Sequence, residues 1–219
     1  MAEDFTKYTL LDGGNNCITV NSATSLSIAG TTNDRYSLHS DKGAAHFSGD
    51  FEHIVATSGS GTGTCGFWGL SNVVDAVNPH DTKVLDDANN TFLYAAWIYY
   101  SDKLRICLRE CQSGSLATDV FISGAGTFYC EIERDEDTGT YGTLLCRFYS
   151  DSARTTLVRT LSVTLRAKDD FRTVYGAWSQ YTSPGSFSVT VANLDLQESG
   201  TITATSASTF PAAIASGIS

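Results

Sequence analysis

Apolar and polar residues alternate with period two through most of this chain, and turn-forming residues interrupt the alternation roughly every 8 to 12 positions. No other feature constrains the fold as strongly. A strand with one buried face alternates strictly, because successive side chains point to opposite sides of a sheet. Many such strands in series, without long helical patterns between them, predict an all-β sandwich or barrel of antiparallel strands. Candidate strands cover 17–20, 25–28, 35–40, 51–57, 65–71, 92–100, 103–111, 119–123, 127–134, 142–150, 156–165, 171–179 and 186–196. Only 72–77 and 84–88 have room for a helical turn, and Pro79 closes the first. Gly59, Gly61 and Gly63 precede a strand, not a helix, so they read as a flexible hairpin loop and not a phosphate cradle.

A length of 219 residues suits one large β domain, with a core that needs no disulfide or metal to hold it. The alternation divides the chain into an N-terminal arm (1–16), the domain (17–198) and an uncharged Ser/Thr/Ala-rich tail (199–219), which is expected to be an assembly contact. The 42% hydrophobic and 17% charged fractions are those of a folded chain, not a disordered one. A net charge of -10 argues against nucleic acid and anionic membranes as partners, since both require clustered Lys and Arg. The opening MAEDFTKYTLLDGG lacks the basic and apolar regions of a secretion signal. The expectation is synthesis in the cytoplasm, with any outside role reached by lysis, by another pathway or within a particle.

Two hairpins carry the remaining information. In 127–149 the strands close around Asp137-Thr138-Gly139. Symmetry about Thr138 pairs Cys130 with Cys146, Ile132 with Leu144 and Phe128 with Phe148 on one apolar face. Cys130 and Cys146 then stand either as a cross-strand disulfide or as buried free thiols acting as small hydrophobes.

In 92–111, Ser101-Asp102 forms a two-residue turn, which sets Tyr99 against Leu104, Trp97 against Ile106 and Ala95 against Leu108 on the core face. The other face carries Tyr94, Ala96, Ile98 and Tyr100 opposite Lys103, Arg105, Cys107, Arg109 and Cys111. Rings beside guanidinium groups suit sugars, which offer apolar C–H patches and hydroxyls, and suit protein interfaces equally. Such a face can also simply be covered by the protein's own packing. Cys107 and Cys111 lie roughly 13 Å apart at about 3.3 Å per residue and cannot bond each other.

The phrases HFSGDFEHIVAT, TFYCEIERDEDTGTYGTLLCRFYSDSARTTLVRTLSVTL and VTVANLDLQE resemble the concanavalin A-like lectin/glucanase superfamily over roughly residues 15 to 197, most closely its laminin-G-like domains of bacteriophage and environmental bacterial type. The resemblance implies a jelly roll of two curved antiparallel sheets whose concave face often binds glycans or proteins. It places Tyr94, Tyr100, Arg105 and Arg109, with Trp178, in that groove as ligand contacts.

The superfamily includes glycosidases, and Glu131-Ile132-Glu133-Arg134-Asp135-Glu136 is similar to its Glu-x-Asp-x-x-Glu strand motif. Glu replaces the middle Asp, however, and retaining hydrolysis needs two carboxyl groups about 5 Å apart on one face. His39, His46, His53 and His80 form no triad or metal pattern, and His53 alternates with Phe51 and Val55 as an inward-facing residue. Asp75, Asp81, Asp86 and Asp87 share a loop with the composition, though not the spacing, of a calcium site.

The expectation is a non-catalytic subunit without cofactor or metal, adhesive or structural, in a virion or other extracellular assembly. Its partners would be copies of itself or other coat or fibre subunits, with surface glycans as further ligands. A stand-alone carbohydrate-binding module is the alternative, and a hydrolase using Glu131 and Glu136 the third reading.

Overall fold

A computed structural model describes residues 2–12, 16–31, 36–73, 90–112, 115–179 and 186–197. The described residues form fourteen strands and a single 3-10 turn, Phe5–Lys7. The strands are β1 (Thr9–Asp12), β2 (Ile18–Ser22), β3 (Ser25–Thr31), β4 (Tyr36–Asp41), β5 (Phe51–Gly61), β6 (Cys65–Ser71) and β7 (Thr91–Tyr100). They continue as β8 (Lys103–Gln112), β9 (Ser115–Ile122), β10 (Gly126–Asp135), β11 (Thr143–Tyr149), β12 (Leu157–Thr164), β13 (Thr173–Ser179) and β14 (Ser186–Asp195).

Two seven-stranded antiparallel sheets result, one ordered β12-β11-β10-β5-β14-β3-β2 and the other β1-β4-β13-β6-β7-β8-β9. This is the expected two-sheet jelly-roll sandwich. Strands that follow one another often sit in opposite sheets, as β5 and β6 do, so the glycine-rich stretch between them is not a hairpin loop. Gly59 lies within β5 itself, against the Trp97 ring; a Cβ there would meet that ring at 2.4 Å.

The inward residues of both sheets fill one core that includes Val55, Phe67, Leu93, Leu108, Ile132, Phe148 and Val191. Its two tryptophans find acceptors inside it. Trp97 Nε1 donates to Thr57 Oγ1 at 2.9 Å, and Trp68 Nε1 donates to His53 Nδ1 at 3.1 Å. A buried indole N–H left unpaired would cost about 1–3 kcal/mol, so each partner matters.

The segment read as an arm is built into the domain. Phe5 is buried, Ala2 bridges Asp195, and β1 pairs with β4 in the register Thr9–His39 to Asp12–Tyr36. The tail 199–219 and, apart from Asn72 and Val73, the expected helical turns over 72–77 and 84–88 lie outside the described residues.

On the side where β9 and β12 end the two sheets, polar groups link them. Asp119 accepts the Ser162 N–H at 3.0 Å, and Arg166 donates to the Leu116 carbonyl at 2.8 Å. The buried Glu110 carboxylate accepts the Arg166 N–H with both oxygens, at 3.0 and 3.1 Å.

The β10–β11 hairpin differs from its expected register by one pair. Cys130 faces Phe148, Ile132 faces Cys146 and Arg134 faces Leu144. A shift of two residues keeps every side chain on its face, so the apolar set stays inside. Cys130 and Cys146 become diagonal neighbours instead of opposed ones, and both are free, buried thiols. Burial and the adjacent Cys130 thiol together hold Cys146 well above the ordinary thiol range. Of the two states expected for this pair, the structure has the buried free thiols and not the cross-strand disulfide.

Candidate functional site

The β7–β8 hairpin turns at Ser101 and Asp102, whose φ values of 52° and 59° are those of a two-residue turn with both central residues left-handed. The register follows from it: Tyr99–Leu104, Trp97–Ile106 and Ala95–Leu108 face the core. On the outer face of the sheet, Tyr100 is opposite Lys103, Ile98 opposite Arg105, Ala96 opposite Cys107 and Tyr94 opposite Arg109. Strand β9 adds a third row, with Ile122 beside Arg105, Val120 beside Cys107 and Thr118 beside Arg109.

This outer face is divided. Toward β6 and β13, Phe92, Tyr94, Ala96, Cys107, Cys111, Tyr175 and Trp178 form a second apolar cluster, fully or almost fully buried. Tyr94 meets Trp178 edge-on with ring centroids 4.8 Å apart, and Phe92 stacks on Tyr94 at 5.0 Å. Burial pushes the Tyr94 phenol above its ordinary range. Tyr94 and Trp178, expected as groove contacts, are therefore packing residues and are not available to a ligand.

Trp178 reaches this cluster because β13 changes register between Tyr175 and Ala177, which lets Tyr175 and Trp178 share a face despite their odd spacing. Opposite it stands Gly66, where a Cβ would lie 1.8 Å from Trp178 Nε1. Only a residue without a side chain fits under that indole.

Toward the hairpin turn and β9 the face is open. Tyr100 is 66% exposed, Ile122 56%, and Lys103, Thr118 and Val120 are also exposed. Arg105 and Arg109 are partly exposed. The Arg105 guanidinium lies over the Tyr100 ring at 5.4 Å, and that of Arg109 over Tyr94 at 6.0 Å. Arg109 also donates to Tyr94 Oη at 3.3 Å and to Thr118 Oγ1 at 3.0 Å. It thus ties the closed half of the face to the open half.

Of the five contacts expected from sequence, Tyr100, Arg105 and Arg109 line the open half and two are buried. Lys103 and the β9 row complete the open surface. The β9 row was hidden because the strand begins at Ser115, ahead of the expected 119, and its signal is the spacing of Leu116, Thr118, Val120 and Ile122.

Glu131 and Glu136, the pair considered for hydrolysis, are not brought together. Glu131 and Glu133 do share the outer face of β10, with Glu52 in register beside Glu133. Burial together with the Glu131 and Glu133 charges raises the Glu52 carboxyl above its ordinary range. Glu131 lies on the outer face of the other sheet and accepts the Tyr149 hydroxyl at 2.9 Å. Glu136 pairs instead with the inward Arg134 at 2.8 Å and with Lys168 at 2.6 Å. Glu133 is ion-paired to Arg147 at 2.6 Å. Asp75, Asp81, Asp86 and Asp87 lie outside the described residues; among the described residues no group of three or more His, Cys, Asp or Glu side chains is arranged to hold a metal ion.

No family model and no curated protein sequence matches the chain. Solved structures do. Lectin II from Ulex europaeus matches with TM-score 0.53 at 10% identity, covering 84% of this chain and 92% of that one. A legume lectin-like domain from Entamoeba histolytica matches with TM-score 0.53 at 10% identity, over 86% and 88% of the two chains. The basic winged bean lectin, solved with Tn-antigen, matches with TM-score 0.50 at 12% identity, over 85% and 93%. The fold is a concanavalin A-like lectin jelly roll.

Proposed function

We propose that this protein is a non-catalytic, adhesive glycan-binding module that contacts its ligand through the open half of the β7–β8–β9 face. The observation that carries the reading is Tyr100, a ring left two-thirds exposed on a sheet face while a guanidinium lies against it. Such a ring offers a flat apolar surface for sugar C–H groups, and the cations beside it supply directed donors. A fold shared with lectins, one of them solved with Tn-antigen, supports the reading without choosing the sugar.

A glycan array probed with the full chain tests it. The expected result is binding to a subset of glycans that falls at least tenfold in Tyr100→Ala/Arg105→Ala. It should persist in Tyr141→Ala, which removes an exposed ring from the β10–β11 connection. A blank array, or a double variant that binds as wild type, overturns the proposal.

One set of observations favours a second reading, in which the chain is also a subunit of a virion-type or other extracellular assembly. Leu116, Val120 and Ile122 on β9 and Leu157 and Val158 on β12 are exposed apolar residues on adjoining sheet edges. Exposed apolar edges recruit further chains unless they are covered. Light scattering of wild type against Ile122→Lys/Leu157→Lys decides it: a concentration-dependent oligomer lost in the variant supports assembly, and a monomer throughout rejects it. In this reading the bacteriophage laminin-G likeness and the 199–219 tail belong to the same assembly role.

A further inference from the structure

We infer that the glycan recognised by this face is acidic, carrying carboxylate or sulfate groups. The inference rests on the glycan-binding reading above and specifies its ligand class.

The argument begins with where the bases of an acidic chain have gone. Acids outnumber bases 24 to 14. Lys42, Arg134, Arg147, Lys168 and Arg172 each have a carboxylate oxygen within 2.8 Å. Lys103, Arg105 and Arg109 have none among the described residues. They occupy one face of β8, and the residues in register beside them are Tyr100, Ile98, Tyr94, Ile122 and Thr118, none of them acidic.

The acids closest in sequence are engaged elsewhere or stand apart. Glu110 points to the core and accepts the Arg166 N–H. Asp119 accepts the Ser162 and Val120 N–H groups. Asp102 is an exposed turn residue that forms no ion pair with a described residue. Arg105 Nε is buried with no acceptor. Among the described residues, three cations thus share a surface on which none is ion-paired.

The donor and acceptor inventory then selects the ligand. A neutral sugar presents hydroxyls that donate as well as accept, so its sites need acceptors. Lys and Arg are donors only, and among the described residues in register with them only Tyr100 and Thr118 carry side-chain acceptors, the turn residues Ser101 and Asp102 standing at the end of the row. A surface of this kind matches groups that only accept, which are carboxylates and sulfates. The guanidinium fork fits either oxyanion with two parallel N–H bonds. Arg109 is held in place by Tyr94 and Thr118 using two of its five donors, which leaves the others for a ligand.

Spacing favours an oligosaccharide. Along β8, Lys103 and Arg105 stand roughly 7 Å apart, and Arg105 and Arg109 roughly 13 Å, at about 3.3 Å per residue. One sugar cannot span the row. The overall charge of -10 repels a polyanion at long range, yet this field is screened beyond about 8 Å at physiological ionic strength. Recognition therefore operates at contact distance.

Calorimetric titration of the full chain at physiological salt tests the inference with four probes: trigalacturonate, its methyl ester, a sulfated galacto-oligosaccharide and the neutral parent of the latter. An acidic probe should bind at least tenfold more tightly than its neutral counterpart. Arg105→Gln and Lys103→Gln should each weaken that binding three- to tenfold with unchanged melting temperature, and Arg105→Lys should recover part of the loss. Preference for the sulfated probe over the uronate, or the reverse, identifies the oxyanion and supports the inference in either case. Equal binding of charged and neutral probes overturns it while leaving the glycan-binding reading intact. No binding to these four probes, combined with a blank glycan array, overturns both.

Discussion

Acid should destabilise this protein measurably through His53. His53 sits on β5 in the core, stacked on Phe51 with ring centroids 4.5 Å apart and edge-on to Phe47 at 5.2 Å. Trp68 donates to its Nδ1, which fixes the neutral ring with its proton on Nε2. Burial is the main cause that pushes its pKa from 6.5 down to about 3; Asp195 opposes this and is outweighed. Between those values the unfolded chain binds a proton that the folded chain refuses. Stability contributed by the neutral ring is complete above pH 6.5 and is lost as pH falls from there toward 3.

The slope is about 1.4 kcal/mol per pH unit, so by pH 4.5 the loss is about 2.7 kcal/mol. That is a large share of a total of roughly 5–15 kcal/mol. Urea unfolding at pH 7.0, 6.0, 5.0 and 4.5 measures it when wild type is compared with His53→Asn, which keeps an acceptor for Trp68 and never ionises. The variant should be less stable at pH 7, and the gap should narrow by about 2.7 kcal/mol by pH 4.5. Other titrating groups, such as Glu52 and Glu110, are common to both proteins and cancel. Parallel stability curves for the two would refute the reasoning.

Two further expectations concern the packing. Gly66→Ala drives a methyl group into the Trp178 indole, so it should cost about 1–3 kcal/mol or more by overpacking, seen as a fall of several degrees in melting temperature; an unchanged melt would mean that Trp178 moves freely. All six cysteines are buried and none is disulfide-bonded, and burial pushes Cys65 up to about 12, so a thiol reagent at pH 8 should label almost none in the native protein and six in denaturant. Fewer than six in denaturant without reductant would reveal a disulfide.

Period-two alternation was enough to read the sandwich and the β7–β8 hairpin because both are local. Ser101 and Asp102 fix the turn, and the turn fixes every pair behind it. The β10–β11 connection lacked that local determinant. Asp135 takes the Thr138 hydroxyl at 2.6 Å and the Asp137 N–H at 2.9 Å, and Glu136 N–H reaches back to Asp50 at 2.7 Å. These bonds move the ladder by one pair, and symmetry about Thr138 does not reveal them. Because the error was even in residues, the faces were correct and only the thiol pairing failed. Strand β1 is not legible in the sequence for another reason: Leu10 points to solvent, and pairing with β4 gives the strand an order that four residues do not encode alone.

The division of the outer face lies furthest from local sequence, and the site depends on it. Strict alternation puts Tyr175 and Trp178 on opposite sides of β13. The register change at Gly176 removes that opposition, and Gly176 itself is confined from the far side by Phe5, whose ring a Cβ would meet at 2.7 Å. A residue near the start of the chain thus helps turn an indole onto the outer face of the sheet. There it packs over Gly66 and against Tyr94, and Tyr94 in turn holds Arg109 toward Thr118. Along the same hairpin, rings that read as equivalent in the sequence separate into an anchor and a contact. Buried Tyr94 sets the position of the Arg109 guanidinium, and exposed Tyr100, with the Arg105 guanidinium over its ring, is left to meet whatever arrives.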